Sequence, residues 1–243
     1  MSHAGYFRLL KLYSDIWARR HCRVVLAGEE TLDAPRDRGR VYIVSHPTTW
    51  DLPMLAHIGR NNFYVIVDKG PFAHPLVNWL FKNSGFLKLE GDNGDEVIRK
   101  AADIAGARLP LIISLKGYGV DFGEEVRPRT GGIRIAHYAK ADIHPVHLMI
   151  ENGKRIMKGF KGAAGQNYPF TVFHDTFYFA TFCAPLRYDE YARDTMTYED
   201  YKAIAYKVEA TFNDSEKKIQ ADLAAGRFDG LPRKGGAKTQ IRY

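Results

Sequence analysis

The stretch "SHPTTWD", Ser45 to Asp51, follows the β-type run "VYIV" and sets a histidine five residues ahead of an aspartate. An imidazole beside a carboxylate can take up a proton near neutral pH, which is the task of a general base. The interval limits where the two side chains can meet. Five residues along one straight helix turn through roughly 500°, about 140° away from the starting face. On a single helix His46 and Asp51 would therefore point apart. They face one another only if His46 lies in the turn before a helix and Asp51 near that helix's start. Pro47, Thr48 and Thr49 suit such a turn, and a threonine there can cap the helix "WDLPMLAHI". Pro53 is tolerated only near the first turn, which agrees.

The elements that must hold this pair alternate along the chain. "VYIVS" leads to a helix from about Trp50, and "NFYVIVD" leads to helical "HPLVNWLFKN". "GFLKL" precedes "GDEVIRKAADIAGA", "PLIISL" precedes "GGIRIAHYAKA", and "IHPVHLMI" follows. Such alternation predicts an α/β fold with a mixed, largely parallel sheet flanked by helices. The alternating run "TVFHDTFYFATFCAPL" predicts a half-buried strand or a hairpin, and "YEDYKAIAYKVEATFNDSEKKI" a closing helix. In open α/β sheets, sites form at the carboxyl ends of strands. His46 lies at such an end, and so does "LKGYG" after "PLIIS".

No repeat or long linker divides the chain, so one α/β domain is expected over residues 31–225. Residues 1–30 hold "YFRLLKLYSDIWARRHCR", with Arg8, Lys11, Arg19, Arg20 and Arg23 against one Asp15. Its apolar residues Tyr6, Leu9, Leu10, Tyr13, Ile16 and Trp17 recur at helical intervals. This is the pattern of a membrane-surface amphipathic helix, and equally of a helix docked on its own core. Residues 226–243, "GRFDGLPRKGGAKTQIRY", are Gly-, Pro- and Lys/Arg-rich without periodicity and are expected to be a mobile basic tail.

At 243 residues, 45% hydrophobic and 26% charged, the chain has the composition of a globular fold with a sizeable core. No run of 18 apolar residues predicts a spanning helix, and no signal core opens the sequence. Two cysteines, Cys22 and Cys183, are too few for a disulfide framework, and a reduced cytoplasmic setting is expected. The net charge of +7 and isoelectric point near 9.3 call for an acidic partner. Basic residues are not interleaved with aromatics as in a nucleic-acid module, so anionic lipid or an acidic protein is the better match.

Other signals carry less. "DFG", Asp121 to Gly123, lacks every other kinase context, and "LKGYGVDFG" lacks the Gly-Lys-Ser/Thr ending of a phosphate loop. His144 and His147 stand an odd number apart on an expected strand and face opposite sides, against joint metal ligation. No metal site is expected. No Gly-x-Ser-x-Gly elbow supports a serine hydrolase.

The order of segments resembles the glycerolipid (lysophospholipid) acyltransferase family. "VYIVSHPTTWDLPML" is similar to its first signature block, a histidine, four residues, then an aspartate. "DKGPFAHPLVNWLFKNSGFLKLEGDN" is similar to the second, and "LPLIISLKGYGVDFGEEVRPRTGGIRIAHYAKADIHPVHL" to the third and the Pro-containing strand after it. "FCAPLRYDEYARDTMTYEDYKAIAYKVEATF" resembles the family's ending, and the likeness spans roughly residues 10 to 220. Two departures stand out. Where the second block ends in an arginine this chain reads "KLEGDN", and where the third reads Pro-Glu-Gly-Thr-Arg it reads "SLKGYG". Those family residues are associated with a phosphate-bearing acceptor.

The resemblance implies a peripheral-membrane O-acyltransferase on the cytoplasmic face, taking a fatty acyl group from acyl-CoA or acyl-carrier protein to a lysolipid-like hydroxyl. No cofactor is implied. His46 would be the base and Asp51 would fix its tautomer. Backbone N–H groups around Lys116 and Gly117 would hold the oxyanion or the donor's phosphates. Lys116, Arg127 and Arg129 would anchor an anionic group, although Lys116 reads equally as a solvated loop lysine. A non-phosphate acceptor, such as an amino-acid lipid or a specialised metabolite, and a non-catalytic lipid- or carrier-binding relative remain as alternatives.

Overall fold

The run before His46 is strand β2, Arg40–Val44, and both of its faces are covered. Val41 and Ile43 pack into one apolar layer and Val44 into the other, which is why the run reads as continuously apolar. The computed structural model describes residues 3–32, 37–48, 50–59, 62–68, 78–79, 81, 84–89, 94–116, 127–156, 170–235 and 239–240.

In chain order the elements are α1 (His3–His21), β1 (Cys22–Ala27), a 3-10 turn (Glu29–Leu32), β2, α2 (Asp51–Ile58), β3 (Tyr64–Asp68) and β4 (Phe86–Leu89). There follow α3 (Gly94–Gly106), β5 (Leu111–Ser114), α4 (Gly131–Tyr138), β6 (Asp142–Ile150), β7 (Lys154–Ile156) and β8 (Phe170–Val172). The last are β9 (Thr176–Phe182), α5 (Tyr188–Tyr191), α6 (Tyr198–Ala224) and β10 (Thr239–Gln240). Eight strands form one sheet in the order β10-β1-β9-β6-β2-β5-β3-β4, and β7 pairs with β8 apart from it. Every neighbouring pair in the main sheet is parallel except β6 with β9. This is the mixed, largely parallel sheet that the alternation predicts.

Helices α1 and α2 cover one face, over Val24, Leu26, Val44, Val146, Leu148 and Tyr178. Helices α3, α4 and α6 cover the other, over Val41, Ile43, Leu111 and Ile143. Gly132 lets α4 lie close to the sheet, since a Cβ there would stand 3.0 Å from the Ile43 and Ile113 side chains. Helix α6 opens on a reciprocal cap. The Asp200 N–H donates to Thr197 Oγ1 at 3.2 Å, and the Thr197 N–H donates to the Asp200 carboxylate at 2.9 Å.

Two segments differ from expectation. "TVFHDTFYFATFCAPL" is neither one strand nor a hairpin. Asp175, at φ 51°, turns the chain between β8, which pairs with β7, and β9, which enters the main sheet. Residues 226–235 and 239–240, expected to belong to a mobile tail, are docked instead. Phe228 is buried against Phe177 and Phe179, the Arg233 guanidinium donates twice to Glu151 at 2.7 and 2.9 Å, and β10 lies along β1. One phenylalanine in a polar stretch escapes a reading by composition, yet it supplies the apolar anchor. Of "HPLVNWLFKN", only Asn78, Trp79 and Phe81 are among the described residues, and all three are helical.

Candidate active site

Strand β2 hands the chain over at Ser45. The Ser45 N–H donates to the Val146 carbonyl at 3.2 Å, and the Leu115 N–H donates to the Val44 carbonyl at 3.0 Å, so the ladder runs to the strand's end on both sides. The Ser45 hydroxyl then bonds both ways with Leu148, donating to its carbonyl at 3.1 Å and accepting from its N–H at 2.8 Å. This pins the point from which the chain departs.

His46 follows with φ 55°, a left-handed backbone that a histidine enters more readily than most residues with a side chain. Helix α2 begins at Asp51, the arrangement the spacing requires, with Pro53 in its first turn. The cap differs in detail. Trp50 holds the N-cap position but its side chain does not cap the helix, and the buried Thr48 hydroxyl instead accepts from the Trp50 N–H at 3.3 Å. Thr48 thus shapes the turn rather than the helix end.

The geometry brings His46 and Asp51 together. His46 Nδ1 lies 2.9 Å from Asp51 Oδ2, which also accepts from the Thr48 N–H at 3.0 Å. Asp51 Oδ1 accepts from the Tyr178 hydroxyl at 2.7 Å. The Asp51 side chain is only 2% exposed and that of His46 is 20% exposed. A carboxylate this deep must be matched by donors, and three reach it. Because an ionised carboxylate only accepts, the shared proton belongs to Nδ1 and the neutral ring carries its lone pair on Nε2. Burial first, then the neighbouring Asp51 charge, pushes the Tyr178 phenol well above its usual range, so it stays a donor. Cys22, packed on the same layer, has its thiol pushed up to about 12 by burial.

An aromatic wall adjoins the pair. Trp50 stacks on Trp17 of α1 with ring centroids 4.2 Å apart, and Trp17 stacks in turn on His21 at 4.8 Å. Phe173 meets Trp17 edge-on at 5.0 Å. The other expected residues are placed as follows. Lys116, just past β5, is ion-paired with Glu209 of α6. The Arg129 N–H donates to the Leu115 carbonyl at 2.9 Å, which returns that segment to the end of β5, and the Arg127 and Arg129 side chains are exposed. Gly117 lies outside the described residues, as do the Glu90, Gly91 and Asp92 that replace the second-block arginine.

Among the described residues, no cluster of three or more His, Cys, Asp or Glu could hold a metal. His144 and His147 face opposite layers as their spacing requires. His144 lies beside the Tyr42 ring, and His147 Nδ1 is 3.0 Å from the Ser215 hydroxyl of α6. Sequence reasoning missed Tyr178 altogether. Its only signal is the alternation of "TFYFATF", which puts the tyrosine on a buried face without naming its partner.

An imidazole–carboxylate pair at the carboxyl end of a central parallel strand is the arrangement of an α/β enzyme site. Comparison with known proteins narrows the class. The profile of the Acyltransferase family matches residues 23–149. The solved structure of the 1-acyl-sn-glycerophosphate (LPA) acyltransferase PlsC from Thermotoga maritima superposes with a TM-score of 0.59 at 15% identity, covering 88% of this chain and 79% of that one. No curated protein sequence matches. The chain belongs to the acyltransferase family and is an acyltransferase enzyme.

Proposed function

We propose that the chain transfers a fatty acyl group from a thioester, acyl-CoA or acyl-carrier protein, to the hydroxyl of a lysolipid-like acceptor. The observation that carries this reading is the 2.9 Å contact between His46 and the buried Asp51. Asp51 holds the ring with Nε2 as the acceptor, and Nε2 takes the hydroxyl proton as the oxygen attacks the thioester carbonyl. The tetrahedral oxyanion then collapses, the C–S bond breaks, and the imidazolium returns its proton to the departing thiolate. Backbone N–H groups around Lys116 and Gly117 are the candidate oxyanion donors, and Arg127 and Arg129 the candidate anchors for an anionic group.

The test is His46→Ala assayed with palmitoyl-CoA and a panel of lysolipids, reading free-thiol release. Turnover is expected to vanish while the circular dichroism spectrum is unchanged. Turnover near the wild-type rate would remove His46 as the base, and wild-type turnover with none of the lysolipids would rule out a lysolipid-like acceptor.

The acceptor has a second reading, favoured by one contact. Lys116 stands where the family carries a glutamate, and Glu209 already neutralises it. An acceptor without a phosphate, such as an amino-acid lipid, suits a site whose lysine is occupied. The acceptor panel separates the two. Helix α1 supports a membrane surface as partner, with Arg8, Arg19 and Arg20 exposed beside an apolar stripe. A peripheral position on the cytoplasmic membrane face follows from that reading. Among the described residues no helix is long and apolar enough to cross a membrane.

A further inference from the structure

Asp51 receives donors from two directions. His46 and Thr48 approach Oδ2 from the turn before α2, whereas Tyr178 approaches Oδ1 from β9, 127 residues away. Tyr178 is fully buried in the middle of the sheet, fixed by the pairing of β9 with β1 and β6, where it stands opposite Val24 and Ile150. Its hydroxyl therefore comes from a strand paired on both sides within the sheet, whereas His46 is carried by the turn between β2 and α2. We infer that Tyr178 is a positioning residue for the pair, anchoring the Asp51 carboxylate to the sheet so that Asp51 can hold the His46 ring in one tautomer and one orientation. This role rests on the proposed work of His46 as base.

The chemistry gives the role a sign. A hydrogen bond from a phenol draws charge out of the carboxylate. Removing it leaves Asp51 with two donors and a more concentrated charge facing Nδ1, which favours the imidazolium. His46 would then keep its proton to higher pH, and the carboxylate would gain freedom to turn away. A tyrosine that merely filled space would produce neither effect when replaced by phenylalanine. The other titratable group facing Tyr178 is Cys22 of β1, whose thiol is neutral at any working pH, so it does not confuse the reading.

The test compares the wild type with Tyr178→Phe, Asp51→Asn and the double variant. His46 is titrated by imidazole NMR, its signals being identified by their loss in His46→Asn. The rate is followed in parallel with palmitoyl-CoA. Tyr178→Phe is expected to raise the midpoint of the His46 titration, lower kcat by about tenfold with KM little changed, and shift the acid limb of kcat/KM upward. In the Asp51→Asn background the same substitution is expected to move neither quantity further, because the carboxylate charge that the phenol tempers is gone. An unmoved midpoint in Tyr178→Phe, or an equal shift with and without Asp51, would overturn the inference. If the wild type releases no thiol from the acyl thioester, the proposed reaction falls, while the titration still decides whether Tyr178 acts through Asp51.

Discussion

His144 and His147 sit on β6, outside the pair at its neighbouring strand's end, and both are buried. Burial holds each imidazole down to about 4, with Arg40 adding to the effect at His144. In the unfolded chain both return to about 6.5. Between those values the unfolded state binds more protons, so stability rises with pH over the window and is lost as the solution is acidified from about 6.5 towards 4. The slope is on the order of 1.4 kcal/mol per pH unit for each histidine fully engaged. Urea denaturation between pH 7 and 4.5 should show the decline, and His147→Gln should remove about half of it, leaving the share of His144. A midpoint independent of pH over that range would contradict the neutral, buried state of these rings. At this scale the local pair was legible in the sequence and the distant partner was not. Five residues of chain restrict His46 and Asp51 to one turn-then-helix geometry, but nothing near Tyr178 says which acid it meets. That depends on β9 inserting between β1 and β6.

Helix α1 shows how much an element's reading depends on its neighbour. The sequence predicts a single apolar face through Tyr6, Leu9, Leu10, Tyr13, Ile16 and Trp17, but the structure divides it. Tyr6, Phe7, Leu10 and Ala18 are buried in the protein, while Leu9, Leu12, Tyr13 and Ile16 are each more than half exposed. The helix is apolar on two sides, so periodicity alone cannot choose which side docks. Polar bonds with α2 help fix the choice. Lys11 Nζ donates to the Ala56 and His57 carbonyls at the end of α2, and His57 Nδ1 lies 2.6 Å from Asp15. Exposed Arg8, Arg19 and Arg20 lie along the outward stripe. Replacing Leu12 and Ile16 together by glutamate should leave the melting temperature near the wild-type value. The same change should reduce co-sedimentation with phosphatidylglycerol-containing vesicles by at least about tenfold. Unchanged vesicle binding would remove the outer face of α1 as the contact.

Across the whole molecule, the C-terminal segment closes the structure over β1 and β9. Phe228 completes an apolar layer with Val25, Met149, Phe177, Phe179 and Ile219, and the Gly235 N–H donates to the Arg19 carbonyl at the end of α1 at 2.8 Å. Phe228→Ala should therefore cost about 3–5 kcal/mol, the usual penalty for emptying a buried aromatic site. A change below 1 kcal/mol in urea unfolding would show that the segment adds nothing to the core. The β/α alternation from β2 to β6 was readable because short β-branched and apolar runs such as β2, β5 and β6 alternate with striped helices such as α3 and α4. The packing of residues 226–235 was not, because a glycine- and arginine-rich stretch betrays its single anchoring ring only once a receiving surface exists.

The stack of Trp17 on Trp50 joins the outward-facing helix to the residue next to Asp51. With three tryptophans in the chain, two of them form this one junction. Their coupled transitions in the near ultraviolet give the protein a built-in optical gauge. Without any attached label, it reports whether contact at α1 is felt beside Asp51.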